Sequence, residues 1–143
     1  MTLKNIDENA IITIISTQKS EEGSETCEFS TEGTFYQRGN KFYLFYNENE
    51  EMEMANCSVM IIAEKEKVTM RRTGDFELKL TYIKGETENT VYYMPFGKMN
   101  MTQTTHSVST DLSDSGGVIK ISYTLIMGGG EQNNDIEIKV KRK

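Results

Sequence analysis

Histidine occurs once in these 143 residues, cysteine twice, proline once and tryptophan not at all. A single imidazole, His106, leaves no histidine set for a zinc or iron centre and little scope for histidine-based acid–base chemistry. Cys27 and Cys57 form no C-x-x-C pair, so two free thiols are expected, with an interstrand disulfide as the alternative. The run Ala10-Ile-Ile-Thr-Ile-Ile15 is far too short for a membrane span. The first nine residues lack the basic stretch and apolar core of a secretion signal, so the sequence predicts a soluble cytoplasmic protein. Basic residues are also scarce: 16 Lys and Arg stand against 22 Asp and Glu, a net charge of −6 with His106 neutral. That balance argues against nucleic acid or an anionic membrane as partner. No segment has linker or low-complexity composition. With 36% hydrophobic and 27% charged residues, the chain supports a packed core, and its length suits one domain over 1–143.

What is present is alternation at period 2 along the whole chain. Ala10 to Gln18 reads as a first strand. Cys27, Phe29, Thr31, Gly33 and Phe35 alternate with polar residues in a second. The turn Arg38-Gly-Asn-Lys41 leads to Phe42-Tyr-Leu-Phe-Tyr46, completing a hairpin. Val59, Ile61 and Ala63 precede a turn at Glu64-Lys-Glu-Lys67, and Val68, Met70 and Arg72 follow it. Phe76, Leu78, Leu80 and Tyr82 make the next strand, then Val91 to Met94, then Met99, Met101 and Gln103. Ile119, Ile121, Tyr123, Leu125 and Met127 follow, and Ile136, Ile138 and Val140 close the chain after a turn at Gly128-Gly-Gly130. Eight to ten strands on short turns, with no convincing helical period, predict an all-β antiparallel up-and-down arrangement. A barrel is preferred to a sandwich because closure removes exposed edges.

Several segments carry a resemblance. Thr31-Glu-Gly33 with Tyr36, Leu44-Phe-Tyr46-Asn-Glu48 and Arg72-Thr-Gly74 resemble the bacterial YwiB-like family. So do Gly97-Lys-Met-Asn-Met101 with Thr105, Asp111-Leu112 and Ile119-Lys-Ile121-Ser-Tyr123. The order and spacing run from about residue 10 to 140. The resemblance implies a lipocalin-like (calycin) β-barrel in a family without an established biochemical function. His106 and both cysteines lie outside its motifs.

Arg72 is the most informative residue. It shares strand phase with Val68 and Met70, which places a guanidinium on the inward face, where it needs a partner. Two readings follow: Arg72 grips an anionic group of a ligand through its bidentate fork, or it pairs with an internal Glu or stacks on a tyrosine and plugs one end of the barrel. Tyr46, Tyr82, Tyr93 and Tyr123 sit on phases suited to lining a cavity, and suited equally to an ordinary core. Met70, Met94, Met99, Met101 and Met127 are adaptable packing in either case. Thr102 and Thr104 are expected to face water. His106 beside Thr104 and Ser107 has the makings of a nucleophile and base, but no supporting motif surrounds it and the strand pattern ends there. Glu48, Glu50, Glu51 and Glu53 lack the spacing of a calcium loop and read as a solvated acidic loop. Gly128-Gly-Gly130 is hairpin chemistry, and nothing positions two carboxylates for glycoside hydrolysis.

The sequence therefore carries two functional expectations. One is a non-enzymatic barrel holding a small apolar or amphipathic, even anionic, ligand, with candidate contacts Arg72, Tyr46, Tyr82, Tyr93 and Tyr123 and with neither cofactor nor metal. The other is a protein-interaction module, homodimer included, whose interior is filled by side chains. Leu44, Phe45, Met60 and Ile62 place apolar groups on both strand phases, more than an inner face requires.

Overall fold

The period-2 pattern becomes ten antiparallel strands in the computed structural model, which describes residues 8–48 and 56–143. They are β1 (Ala10–Ser20), β2 (Gly23–Arg38), β3 (Lys41–Asn47), β4 (Cys57–Ala63), β5 (Lys67–Gly74), β6 (Leu78–Ile83), β7 (Thr87–Met94), β8 (Gly97–Ser113), β9 (Gly116–Met127) and β10 (Gly130–Arg142). No helix occurs among the described residues. Each strand pairs with its neighbour in sequence except that β6 and β7 form no ladder, and β10 returns to β1 in a register running from Ala10↔Arg142 to Lys19↔Asn133. The result is the expected up-and-down barrel, nearly closed, with one seam between β6 and β7.

Strand β2 is shared by both halves of the wall. It pairs with β1 as far as Gly33 and with β3 from Thr34 onward. The corner needs a residue without a side chain, because a Cβ on Gly33 would collide with the Phe45 carbonyl oxygen and come within 2.6 Å of Ile12 Cδ1.

At the seam the backbone ladder shrinks to one bridge, in which Glu77 and Tyr93 exchange two N–H···O=C bonds of 2.9 Å. Side chains take over beyond it. The Thr81 N–H donates to Glu88 Oε1 at 2.6 Å, and the Thr81 carbonyl accepts from Gln103 Nε2 at 3.1 Å. Thr90 Oγ1 donates to the Lys79 carbonyl at 3.2 Å. Gln103, with no exposed surface, also accepts from Thr105 Oγ1 at 2.7 Å. Backbone groups that a closed ladder would pair are thus satisfied by inward polar side chains.

One sequence expectation changes here. The strand carrying Met99 to Gln103 does not end near His106; β8 continues to Ser113. A bulge between Thr105 and Ser107 shifts the phase, so that odd positions point inward before it and even positions after it. The pattern broke although the strand did not.

The end of the barrel where β1 begins and β10 finishes is filled. Ile12, Phe35, Leu44 and Ile119 have no exposed surface. Phe35 stacks on Phe42 with centroids 5.8 Å apart, and the Arg142 guanidinium lies 5.3 Å above the Phe35 ring. Thr110 Oγ1 ties β8 to the β4–β5 turn through the carbonyls of Glu64 and Lys65, at 3.1 and 3.0 Å. Each large apolar side chain buried there contributes about 1.5–3 kcal/mol.

Candidate functional site

Above that packed end the interior opens into a cavity of about 340 Å³. Val68, Ile138 and Leu80 belong to its apolar wall, while Ser16, Gln18, Gln132 and Asn134 bring amides and a hydroxyl to the opposite end. Alternation explains this lining: β1, β5, β6, β9 and β10 each turn every second residue inward.

The inward phase of β3 runs Leu44, Tyr46 and then Glu48. Glu48 is buried, with 8% of its surface exposed. It meets Arg72 of β5 in a two-point contact, Nε to Oε1 at 2.7 Å and Nη2 to Oε2 at 3.3 Å. Arg72 Nη1 also donates to the Tyr92 hydroxyl at 3.5 Å. Burial works against the guanidinium charge, but the hydrogen bond and charge of Glu48 outweigh it, and the Arg72 pKa is raised. The reading in which Arg72 pairs with an internal Glu therefore describes its contact.

The phenols divide into two groups. Tyr46 lies against the ion pair, its ring 6.4 Å from that of Phe29, and its pKa is raised by burial first and by Glu48 second. Tyr82 and Tyr123 pack against each other with centroids 4.9 Å apart. Burial raises both of their pKa values, and for Tyr82 the neighbouring Tyr123 adds to the shift.

Four of the five residues singled out from the sequence, Arg72, Tyr46, Tyr82 and Tyr123, thus line one cavity. Tyr93 does not. It is 52% exposed, pairs with Lys98 and faces outward, while Tyr92 takes the inward position. The Val91-Tyr-Tyr-Met94 segment offers an aromatic on either phase, so local sequence could not choose between them. Glu48, which the sequence groups with a solvated acidic loop, turns inward instead; β3 is apolar on both phases, so alternation alone does not assign it to the interior. Glu50, Glu51 and Glu53 lie outside the described residues. The phase of Gln103 follows Met99 and Met101, but its role, like that of Glu88, depends on the seam it closes and has no local signal.

His106 stands exposed at the β8 bulge, with Nε2 2.6 Å from Thr124 Oγ1. That hydroxyl donates to Asn133 Oδ1, also at 2.6 Å, so His106, Thr124 and Asn133 form one hydrogen-bonded chain. The Thr104 hydroxyl bonds instead with Thr87 Oγ1 at 2.8 Å, so the structure does not join His106 to the hydroxyl the nucleophile–base reading places beside it. Cys27 is exposed and Cys57 buried, both as free thiols, and the Cys57 sulfur accepts from the Phe76 N–H at 3.4 Å. Among the described residues no group of three His, Cys, Asp or Glu is placed to hold a metal ion, and no helix is long and apolar enough to cross a membrane.

Residues 12–140 match the family described as a domain of unknown function, DUF1934. The chain is similar to the uncharacterized β-barrel protein YwiB of Bacillus subtilis (strain 168), with 28% identity over 109 residues, 76% of this chain and 75% of that protein. The crystal structure of the Bacillus subtilis ywiB protein matches the fold with a TM-score of 0.85 and 24% identity, covering 94% of this chain and 92% of that one. The barrel architecture is therefore shared along nearly its whole length.

Proposed function

This chain belongs to the DUF1934 family of β-barrels, and from that premise we propose that it is a non-enzymatic, lipocalin-like binding protein that holds a small amphipathic molecule inside the barrel. The observation that carries the reading is the cavity of about 340 Å³, apolar over most of its wall and polar at one end. Its size falls within the range of small-molecule sites, and a few convergent polar groups in an apolar pocket are the usual means of orienting a ligand. A barrel of about eight strands either fills with side chains or keeps room for one ligand, and ten strands widen the interior further. Filling at one end only supports the second case. Native mass spectrometry of freshly purified protein, beside a denatured control, tests it. An adduct lost on denaturation supports the reading. A clean apo mass, together with no binding of a straight-chain alcohol of matching size, refutes it.

A second reading, an interaction module that pairs with a second copy, draws on the outer face. Tyr36 stacks on Tyr43 at 5.0 Å and on Phe45 at 6.2 Å, beside Met60 and Ile62 on the adjacent strand. Sedimentation equilibrium decides it. A dimer that Phe45→Ser dissociates supports it, and a monomer at all concentrations removes it.

A further inference from the structure

We infer that Glu48 makes the cavity selective for uncharged amphipaths, by filling the guanidinium fork that would otherwise bind a ligand carboxylate or phosphate. The inference rests on the reading of the cavity as a ligand site and states what that site accepts. Both Glu48 oxygens are engaged, at 2.7 Å from Arg72 Nε and 3.3 Å from Arg72 Nη2, and the Tyr92 hydroxyl lies 3.5 Å from Nη1. The Glu48 side chain is only 4% exposed. An anion entering the fork would have to displace a carboxylate with almost no exposed surface, leaving it buried and unpaired.

Two further observations point the same way. The neighbouring hairpin tips β1–β2 and β9–β10, which adjoin Gln18 and Gln132 of the cavity wall, carry Glu21, Glu22, Glu25 and Glu131 against Lys19. That excess of negative charge disfavours the approach of an anion. The remaining polar groups on the wall include Ser16, Gln18, Gln132, Asn134 and the phenol of Tyr46, all neutral hydrogen-bonding partners. A hydroxyl, amide or ester headgroup on an apolar chain satisfies such a lining. Specificity here comes from a built-in repulsive element as much as from attraction.

The test compares decanol with decanoate, two probes of equal chain length, by isothermal titration calorimetry on the full chain. The unmodified protein is expected to bind decanol about tenfold or more tightly over decanoate. Glu48→Gln, which removes the negative charge that fills the fork, is expected to raise decanoate affinity by about tenfold or more, and Glu48→Gln with Arg72→Met is expected to abolish that gain. Equal or tighter binding of decanoate by the unmodified protein overturns the inference while leaving the ligand reading intact, and it needs no variant to fold. Folded Glu48→Gln with unchanged decanoate affinity also overturns it. If neither probe binds and no endogenous adduct is found, the ligand reading itself fails and this inference falls with it.

Discussion

Glu48, at the end of β3, and Arg72, on β5, meet inside the barrel as a two-point ion pair whose side chains are 4% and 18% exposed. Each charge is tolerated there because the other is present. Arg72→Met strands a buried carboxylate and is expected to lower stability by about 3 kcal/mol, the low end for a broken buried pair because the guanidinium keeps some contact with water. Replacing both partners, Glu48→Gln with Arg72→Met, is expected to fall within about 1 kcal/mol of the parent, since no unpaired charge remains. Urea denaturation of the parent, the single variant and the double variant checks this. A single variant as stable as the parent would show that the pair is not coupled.

Tyr46, Tyr82 and Tyr123 have folded-state pKa values above the ordinary value of 10.0, and burial is the leading cause for each. A raised folded-state pKa means that the folded barrel holds the proton longer than the unfolded chain does. The stability this represents is fully present below pH 10 and is lost as pH rises from there towards the folded-state values. The slope is about 1.4 kcal/mol per pH unit for each tyrosine, or roughly 4 for the three together, against an ordinary total of about 5–15 kcal/mol. Alkaline titration is therefore expected to show part of the tyrosinate absorbance appearing only as far-UV ellipticity collapses. Tyr82→Phe is expected to make the decline in stability shallower. Complete tyrosinate formation with an intact barrel signal would contradict the assignment.

The seam offers a local test. Glu88 covers the Thr81 N–H at 2.6 Å, and Gln103 covers the Thr81 carbonyl at 3.1 Å. Glu88→Ala leaves the Thr81 amide without its acceptor, a loss of about 1–3 kcal/mol where the group stays shielded from water. Native-state hydrogen exchange is expected to quicken at Thr81 and its β6 neighbours, while amides in the β1–β10 ladder keep their protection. Uniform acceleration across the barrel would mean that the seam is no weaker than the rest of the wall.

Most of the wall was legible in the sequence because one face of each strand is apolar and the turns between strands are short. Leu78 and Leu80, and Ile119 and Ile121, point inward as their alternation predicts. Legibility failed where the period itself changes, as at the Thr105/Ser107 bulge. It failed again where both phases are apolar. On β3 the aromatics Tyr43 and Phe45 face out and stack with Tyr36, while Leu44 and Tyr46 face in. The site was half readable. Arg72 on an inward phase demanded a partner, but its identity depended on β3 and β5 being brought together by β4, a tertiary fact beyond strand patterning.

Gly33 separates two ways in which a glycine can matter. Its φ lies outside the left-handed region, so an alanine there meets no backbone penalty, but it meets the Phe45 carbonyl, the Ile12 methyl at 2.6 Å and Tyr46 Cβ at 3.3 Å. Neither of the first two gives way easily, since one is ladder backbone and the other has no exposed surface. Gly33→Ala is expected to cost about 1–3 kcal/mol through overpacking and to disturb the β2 corner. Gly39 in the β2–β3 turn is the converse. Its φ is +64° with open space around the Cβ position, so Gly39→Ala carries only the left-handed backbone cost of about 1–2 kcal/mol. The two losses are distinguished by pairing Gly33→Ala with Ile12→Val, which removes the Ile12 contact. Partial recovery of denaturation midpoint in that double variant, with none when Ile12→Val is combined with Gly39→Ala, is the expected result. Failure of Ile12→Val to relieve Gly33→Ala would locate the strain at the Phe45 carbonyl and Tyr46 Cβ.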